Sequence, residues 1–242
     1  MNSQNEIESK IKNKGWVKSV AKGSGNVGLT LEYLLGKERE NFELPDYQGI
    51  EIKAKYSKTE THINLFSAAP DSYLFETKRL VKTYGYPDKD MPEYNVLNVS
   101  TVGNRKTRLP SNYYFRLNVD RKNRKVVLNV YDKNKELIDT DTSWSFEILK
   151  EKLERKLQLL AIVKAERKWD SSTREVYFRY NQVKFYKLKS FEDFINLIEI
   201  GRIRISFKIG VYKTGRKKGQ IYDHGTGFTI QEFNIENLFK RI

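Results

Sequence analysis

The segment Gly49-Ile50-Glu51-Ile52-Lys53-Ala54 constrains this chain more than any other. Its apolar and polar residues alternate, the period of a β-strand with one buried face. Ile50 and Ile52 then point into a core, and Glu51 and Lys53 project together to the other side. Leu44-Pro45-Asp46-Tyr47-Gln48 precedes it, and a turn there would bring the Asp46 carboxylate beside Glu51. These two carboxylates and the backbone carbonyl of Ile52 are hard oxygen donors of the kind that hold Mg²⁺. Mg²⁺ so placed would activate a water and offset charge building on a phosphate. Lys53 would orient that water or take up part of that charge. The plain alternative is an exposed edge strand with an ordinary Glu/Lys pair.

The charge balance favours the first reading. Lys and Arg number 45 against 31 Asp and Glu, a formal net charge of +14 over 242 residues. Such an excess suits nucleic acid or an anionic membrane. No apolar run approaches the roughly 18–20 residues of a membrane span. The stretch Met-Asn-Ser-Gln-Asn-Glu is polar and lacks the apolar core of a signal peptide. Nucleic acid is therefore the expected partner, with no membrane association and a cytoplasmic location. There is no Cys and there are only two His, which excludes disulfides, thiolate sites and a multi-histidine zinc centre. Any metal must be held mainly by carboxylates.

The remaining elements read as α+β with a mixed sheet. Residues 4–14 have helical character, and Leu29 to Gly36 reads as a short buried helix that Gly36 ends. Residues 113–119 and 126–131 alternate and are joined by Asp120-Arg121-Lys122-Asn123-Arg124, the pattern of a hairpin. Residues 176–180, 203–212 and 226–230 also have strand character. The spacing of Phe146, Leu149, Leu153, Leu157 and Leu160 predicts a helix from Ser145 to Ala165. Another is expected at 190–199, opened by Ser190 with Asp193 three residues on.

Several short motifs occur in order along the chain. Gly25-Asn26-Val27-Gly28-Leu29-Thr30-Leu31-Glu32 leads into Pro45-Asp46 and Glu51-Ile52-Lys53. Gly103-Asn104-Arg105-Lys106-Thr107, Ser143-Trp144-Ser145-Phe146, Ile209-Gly210-Val211-Tyr212 and Asp223-His224-Gly225-Thr226-Gly227-Phe228 follow. Taken together they resemble the MvaI/BcnI group of type II restriction endonucleases. That group belongs to the PD-(D/E)XK nuclease class and is related to the mismatch-repair nicking enzyme MutH. The resemblance implies a PD-(D/E)XK core with a mixed sheet flanked by helices, in two lobes around a DNA-binding cleft. The expected division places a mainly catalytic lobe at 1–160 and a mainly DNA-recognition lobe at 161–242. It implies a bacterial or archaeal monomer paired with a cognate DNA methyltransferase, cutting the two strands in turn. By carry-over, Asp46 and Glu51 are metal ligands with the Ile52 carbonyl, Lys53 is the catalytic lysine, and Glu32 is a supporting acid.

The residues that would read DNA are less sharply marked. Lys208, Lys213, Arg216, Lys217 and Lys218 cluster beside Tyr212, a density suited to phosphate contacts or to the acceptors of guanine in the major groove. A solvated loop is the alternative. His224 is either a core histidine satisfied by its neighbours or, as the resemblance favours, a base-edge contact. Asn104, Arg105 and Lys106 form a compact polar loop, and His62 could face the same cleft. The chain departs from the MvaI branch where that branch has Asp and Arg at the positions of Ser206 and Lys208. It departs again at Tyr222, where the branch has His before the Asp223-His224 motif, and at Thr229, where it has Arg. Losing that Arg removes a bidentate donor for guanine, so a related but different short palindrome-like site is expected. Two other functions compete with a type II restriction endonuclease: a MutH-like nicking enzyme and a non-catalytic basic DNA-binding module.

Overall fold

The structure, a computed structural model, describes residues 3–12, 14–23, 25–36, 44–57, 62–72 and 76–242. Residue 13 of the expected first helix lies outside the described residues. In chain order come α1 (Ser3–Lys12), β1 (Val17–Lys18), α2 (Asn26–Leu35) and β2 (Ile50–Tyr56). Then follow β3 (His62–Ser67), α3 (Glu76–Tyr84), β4 (Tyr86–Pro87), β5 (Asn95–Thr101) and β6 (Thr107–Arg108). Next are β7 (Tyr114–Asp120), β8 (Lys125–Tyr131), β9 (Leu137–Asp139), β10 (Ser143–Ser145) and α4 (Phe146–Leu157). The two longest strands are β11 (Leu159–Asp170) and β12 (Glu175–Leu188), followed by α5 (Phe191–Glu199). The chain ends with β13 (Ile203–Val211), β14 (Ile221–Asp223), β15 (Gly227–Gln231), α6 (Ile235–Leu238) and β16 (Phe239–Arg241).

These elements form two compact units. Unit 1 comprises Met1–Thr61, Glu154–Lys189 and Phe239–Ile242, and unit 2 comprises His62–Leu153 and Ser190–Leu238. The chain thus passes between the units at four points rather than once near residue 160.

Unit 1 is a sheet in the order β1-β12-β11-β2, with β16 on β12. Only β11 and β2 run parallel, with Leu160 beside Glu51 and Ile162 beside Lys53. One face is covered by the two N-terminal helices. Ile7, Ile11, Leu31 and Leu35 pack there on Ile50, Ile52, Val163 and Phe178. Among the described residues β2 pairs with β11 alone, which leaves its second edge open.

The expected helix from Ser145 to Ala165 is corrected. It stops at Leu157, and Leu159-Leu160-Ala161-Ile162-Val163 belongs to β11. This strand lies between β2 and β12 with Leu160 to Val163 buried. A central strand buried on both faces is apolar without alternation, and its leucines then fall into helical register with those of the preceding helix.

Unit 2 holds a six-stranded sheet, β3-β15-β13-β5-β4 with β14 on β13, and a five-stranded sheet, β10-β8-β7-β6 with β9 on β8. The expected hairpin is β7–β8, with Asp120 accepting from the Asn123 N–H at 3.0 Å inside its turn. Helix α5 begins as expected at Ser190, whose Oγ accepts from the Asp193 N–H at 3.0 Å. One face of the six-stranded sheet supplies the core through Ile63, Leu65, Ile205, Phe207, Ile209, Phe228 and Ile230, all buried. Trp144, Phe115 and Phe194 pack on it, with Trp144 edge-on to Phe228 at 5.9 Å. Strand alternation leaves the other face to polar residues.

Candidate active site

The acidic site in unit 1 is made by a two-residue turn. The Tyr47 N–H donates to the Ile50 carbonyl at 3.0 Å, and the Ile50 N–H donates back to the Tyr47 carbonyl at 2.8 Å. Between them Gln48 and Gly49 have φ of 46° and 83°, both positive as a type I′ turn requires. Glycine takes that conformation without steric cost, and the space around Gly49 is open. The turn folds the chain back so that the Ile52 N–H donates to Asp46 Oδ2 at 2.9 Å. Within an extended strand the N–H and C=O of one residue point to the same edge. The Ile52 carbonyl therefore lies on the open edge of β2, the edge at which Asp46 is held. Helix α1 fastens the turn: the Tyr47 hydroxyl donates to Glu6 Oε1 at 2.5 Å and accepts from Lys10 Nζ at 2.9 Å.

Glu51 is 1% exposed. Its Oε1 takes a hydrogen bond from Lys53 Nζ and lies 3.6 Å from Lys156 Nζ, which comes from the last turn of α4. Its Oε2 is buried and has no hydrogen-bond partner among the described residues. Burial pushes the Glu51 carboxyl above the usual carboxylate range; Lys53 opposes that shift, Asp46 adds to it, and Lys156 opposes it. A buried carboxylate oxygen without a donor is costly unless something positive meets it. The donor set therefore fits a hard divalent cation: Glu51 Oε2, the Asp46 carboxylate and the Ile52 carbonyl. Among the described residues no group of three or more His, Asp and Glu side chains comes together. Glu32 sits half-buried on α2, which packs against β2, but it does not join Asp46 and Glu51 in such a group.

The polar face of the six-stranded sheet in unit 2 gathers most of the other candidates. Arg204, Ser206 and Lys208 alternate along β13 with the buried Ile205, Phe207 and Ile209. Register sets Thr229 beside Arg204, Ser100 beside Ser206, Asn98 beside Lys208 and Tyr222 beside Gly210. On β3, Asn64 pairs with Thr229 and His62 with Gln231. A pocket of about 390 Å³ opens here, lined in part by Asn98, Lys208, Tyr222 and His224. The rings of Tyr212, Tyr222 and His224 follow one another at 4.9 and 4.6 Å. Gly210 matters to this row, because a Cβ there would come within 2.5 Å of the Tyr222 hydroxyl.

Not every candidate is exposed. Ser206 is buried and its hydroxyl is bonded to Ser100 Oγ at 2.7 Å. Lys106 lies 3.6 Å over the Tyr131 ring and donates to the Lys135 carbonyl at 2.9 Å, whereas Asn104 and Arg105 are exposed. Arg216 and Lys217 are exposed on the β13–β14 connection, with Lys217 over the Tyr212 ring. Asp223 Oδ1 accepts from the Gly225 N–H at 2.8 Å and shapes the turn beyond His224.

Comparisons with known proteins show the family and the fold. The family model described as the MvaI/BcnI restriction endonuclease family matches residues 6–239. The chain belongs to this family. A solved complex of restriction endonuclease MvaI with its cognate DNA substrate is similar at a TM-score of 0.91 and 32% identity, covering 100% of this chain and 96% of that one. A structure of MvaI in the absence of DNA matches at a TM-score of 0.65 and 31% identity, covering 100% and 97%. No curated protein gives a significant match. The family member described here is a type II restriction endonuclease, a site-specific deoxyribonuclease with the mixed α+β fold expected of its class. That membership supports the restriction-endonuclease reading over the nicking-enzyme and binding-only alternatives.

Two residues escaped the sequence reading. Lys156 was hidden because its helix is far from β2 in sequence. Arg204 was hidden because it lacks a motif, yet its Nε donates to Thr229 Oγ1 at 3.0 Å across the sheet. Its other guanidinium nitrogens have no partner among the described residues, and burial holds its pKa below the usual arginine range. The signal was present all the same: an arginine two residues before Ser206 shares its strand face.

Proposed function

We propose that this endonuclease cuts double-stranded DNA at the Asp46–Glu51–Lys53 site with Mg²⁺ held by Asp46, Glu51 and the Ile52 carbonyl. The observation that carries this reading is the buried, unpartnered Glu51 Oε2 beside a carboxylate fixed by the backbone of the same strand. When bound, Mg²⁺ would lower the pKa of a water and neutralise charge building on the phosphate. Lys53 keeps its ammonium on Glu51 Oε1, where it can orient the attacking water and stabilise the pentacovalent phosphate. Lys156 adds a second positive charge at the same oxygen. Glu32 serves at most as an outer acid.

The polar face of unit 2 reads the sequence. Lys208, Tyr222 and His224 line its pocket, Asp223 shapes the turn beyond His224 and Thr229 holds Arg204, with Tyr212, Arg216, Lys217, Asn104 and Arg105 on phosphates or neighbouring bases. Arg204 replaces the guanine-binding arginine that Thr229 does not provide, oriented by Thr229 itself. The enzyme works as a cytoplasmic monomer on a short palindrome-like site that a cognate methyltransferase protects. No helix among the described residues is long and apolar enough to cross a membrane.

Glu51→Gln and Lys53→Ala should each lower cleavage by about a thousandfold, the scale of a lost transition-state charge contact, while duplex binding measured by fluorescence anisotropy persists. Wild-type cutting by either variant would refute the assignment.

A further inference from the structure

The hairpin of β11 and β12 is longer than the sheet needs. Pairing of β2 with β11 ends at Tyr56 beside Ala165, but β11 and β12 stay paired to Asp170 and Glu175. Beyond Tyr56, among the described residues, the hairpin has as a further strand only the two-residue β1 on its far side, at Val17 and Lys18. Ribbons this narrow gain little stability of their own. The tip is nevertheless well formed: Asp170 Oδ1 accepts from the Ser172 N–H at 2.9 Å. Its side chains are not core, since Arg167, Lys168, Trp169 and Arg174 are all exposed.

An open groove of about 750 Å³ runs along this arm, lined by Lys22, Asn26, Tyr56, Arg167, Trp169 and Arg174 among others. Its cations are of two kinds. Lys18 is paired with Glu175, which lines the groove with it, and nearby Arg179 is paired with Glu166. Among the described residues, Lys22, Arg167 and Arg174 have no carboxylate partner. Trp169 is 55% exposed beside them. An indole held in water next to unpaired guanidinium groups is apolar surface without a structural use. Such a combination of planar donors and an exposed ring suits the phosphates and sugars of nucleic acid.

Position then selects which nucleic acid. Arg167 stands seven residues beyond Leu160, the register partner of Glu51. At about 3.3 Å per residue that is roughly 23 Å along the strand, or about seven base pairs of B-form DNA. Seven is odd, so strand alternation sets Arg167 on the sheet face opposite Glu51, the face of Ala161, Val163 and Ala165. A duplex cut at Glu51 reaches it by passing the end of β2, where Tyr56 lines the groove, well outside a short recognition sequence.

We propose that this groove is a second DNA site, holding the phosphodiester backbone of the duplex that flanks the cut. It rests on the reading that Glu51 marks the point of cleavage. The contact is independent of sequence and anchors the enzyme on long DNA.

The test uses duplexes built on a mapped cleavage site, with flanks of about 3 or about 15 base pairs, the shorter ending before the arm and the longer passing it. Wild-type enzyme should show a several-fold lower KM on the longer duplex. The Arg167→Ala/Arg174→Ala double variant should lose that advantage and keep the wild-type rate at saturating short duplex. The slope of log affinity against log salt on the longer duplex should fall by about two, one for each cation removed. A double variant with wild-type KM and salt slope on the longer duplex would overturn the proposal. Tryptophan fluorescence gives a second readout in a Trp16→Phe background, because Trp144 is fully buried and Trp16 is itself 40% exposed. The longer duplex should quench this variant's signal more than the shorter one, and adding Trp169→Phe should abolish that difference. Persistence of the difference once Trp169→Phe is added would equally count against the groove. Lys53→Ala separates the two readings: the groove predicts unchanged length dependence of its binding, and cutting at the wild-type rate would defeat the active-site assignment alone.

Discussion

In unit 1 the acidic site is gathered from one short stretch, Asp46 to Lys53, by a single type I′ turn. In unit 2 the polar face is gathered from β3, β5, β13, β14 and β15, whose residues run from His62 to Gln231. The first depends on backbone angles at two residues, the second on register across a whole sheet. Side chains on an open sheet face can be exchanged without moving the backbone that carries them. A turn residue with positive φ cannot be exchanged so freely. Cutting geometry and reading chemistry can therefore vary separately in this fold, which fits the expectation of a conventional acidic motif beside a reading surface altered at Ser206, Lys208, Tyr222 and Thr229.

The sharpest way to break that contrast is to damage the turn. Gly49→Val forces a β-branched residue to φ near 83°, a strained conformation that costs on the order of 1–2 kcal/mol even where space is open. Relaxation of the turn would shift Asp46 from the Ile52 N–H. A displacement of about 1 Å in such a site lowers rates by about a hundredfold. Single-turnover cleavage should fall on that scale while duplex affinity stays at wild-type level, because neither the proposed reading face nor the proposed flanking groove uses this turn. If affinity fell in step with rate, the two regions would not be separable.

The same contrast explains what was legible in the sequence. Strand alternation and a preceding Pro-Asp were enough to propose Asp46, Glu51 and Lys53, because everything that positions them is local. The helix caps at Ser190 and Gly36 were legible for the same reason. The strand β11 was not, because burial on both faces erases the period that distinguishes strand from helix. Nor were Arg204 and Lys156, whose meaning comes from partners 25 and 105 positions away. Ser206 looked like a reading residue until register placed its hydroxyl on Ser100.

Arg204 offers the next test. Its free guanidinium nitrogens suit the O6 and N7 acceptors of guanine, a contact worth about 1–3 kcal/mol of discrimination. Replacing each guanine of the mapped site in turn by 7-deazaguanine removes N7 alone. One position should weaken wild-type cleavage about tenfold, the lower end of that range. Arg204→Ala should be insensitive at that position and unchanged at the others. Arg204→Lys, which keeps charge but not the planar fork, should behave as Ala does in this assay. Equal sensitivity of wild type and Arg204→Ala at every guanine would remove Arg204 from the reading surface.

The smallest effect concerns what holds the reading face steady, and it separates the units by pH. In unit 2, Asp139 accepts from Arg79 Nη1 at 2.6 Å and from the Tyr84 hydroxyl at 2.5 Å. Burial pushes the Asp139 carboxyl up, but Arg79 and Tyr84 outweigh it and hold it below the usual carboxylate range. A depressed folded-state pKa means that this contribution is present above the unfolded value, near 3.9, and is lost as pH falls through the folded one. Glu51 in unit 1 is shifted the other way, so acid should loosen unit 2 first. Trp144, buried in unit 2 with its Nε1 donating to the Ala68 carbonyl at 3.0 Å, reports on this directly once Trp16 and Trp169 are replaced by Phe. Asp139→Asn in that background should lower stability at pH 7 by about 1–2 kcal/mol, the cost of a weakened charged hydrogen bond. It should also flatten the fall in stability below about pH 4, where the native carboxylate titrates. An unchanged acid profile in Asp139→Asn would mean that the steadiness of the reading face comes from the aromatic core beneath it and not from this ion pair.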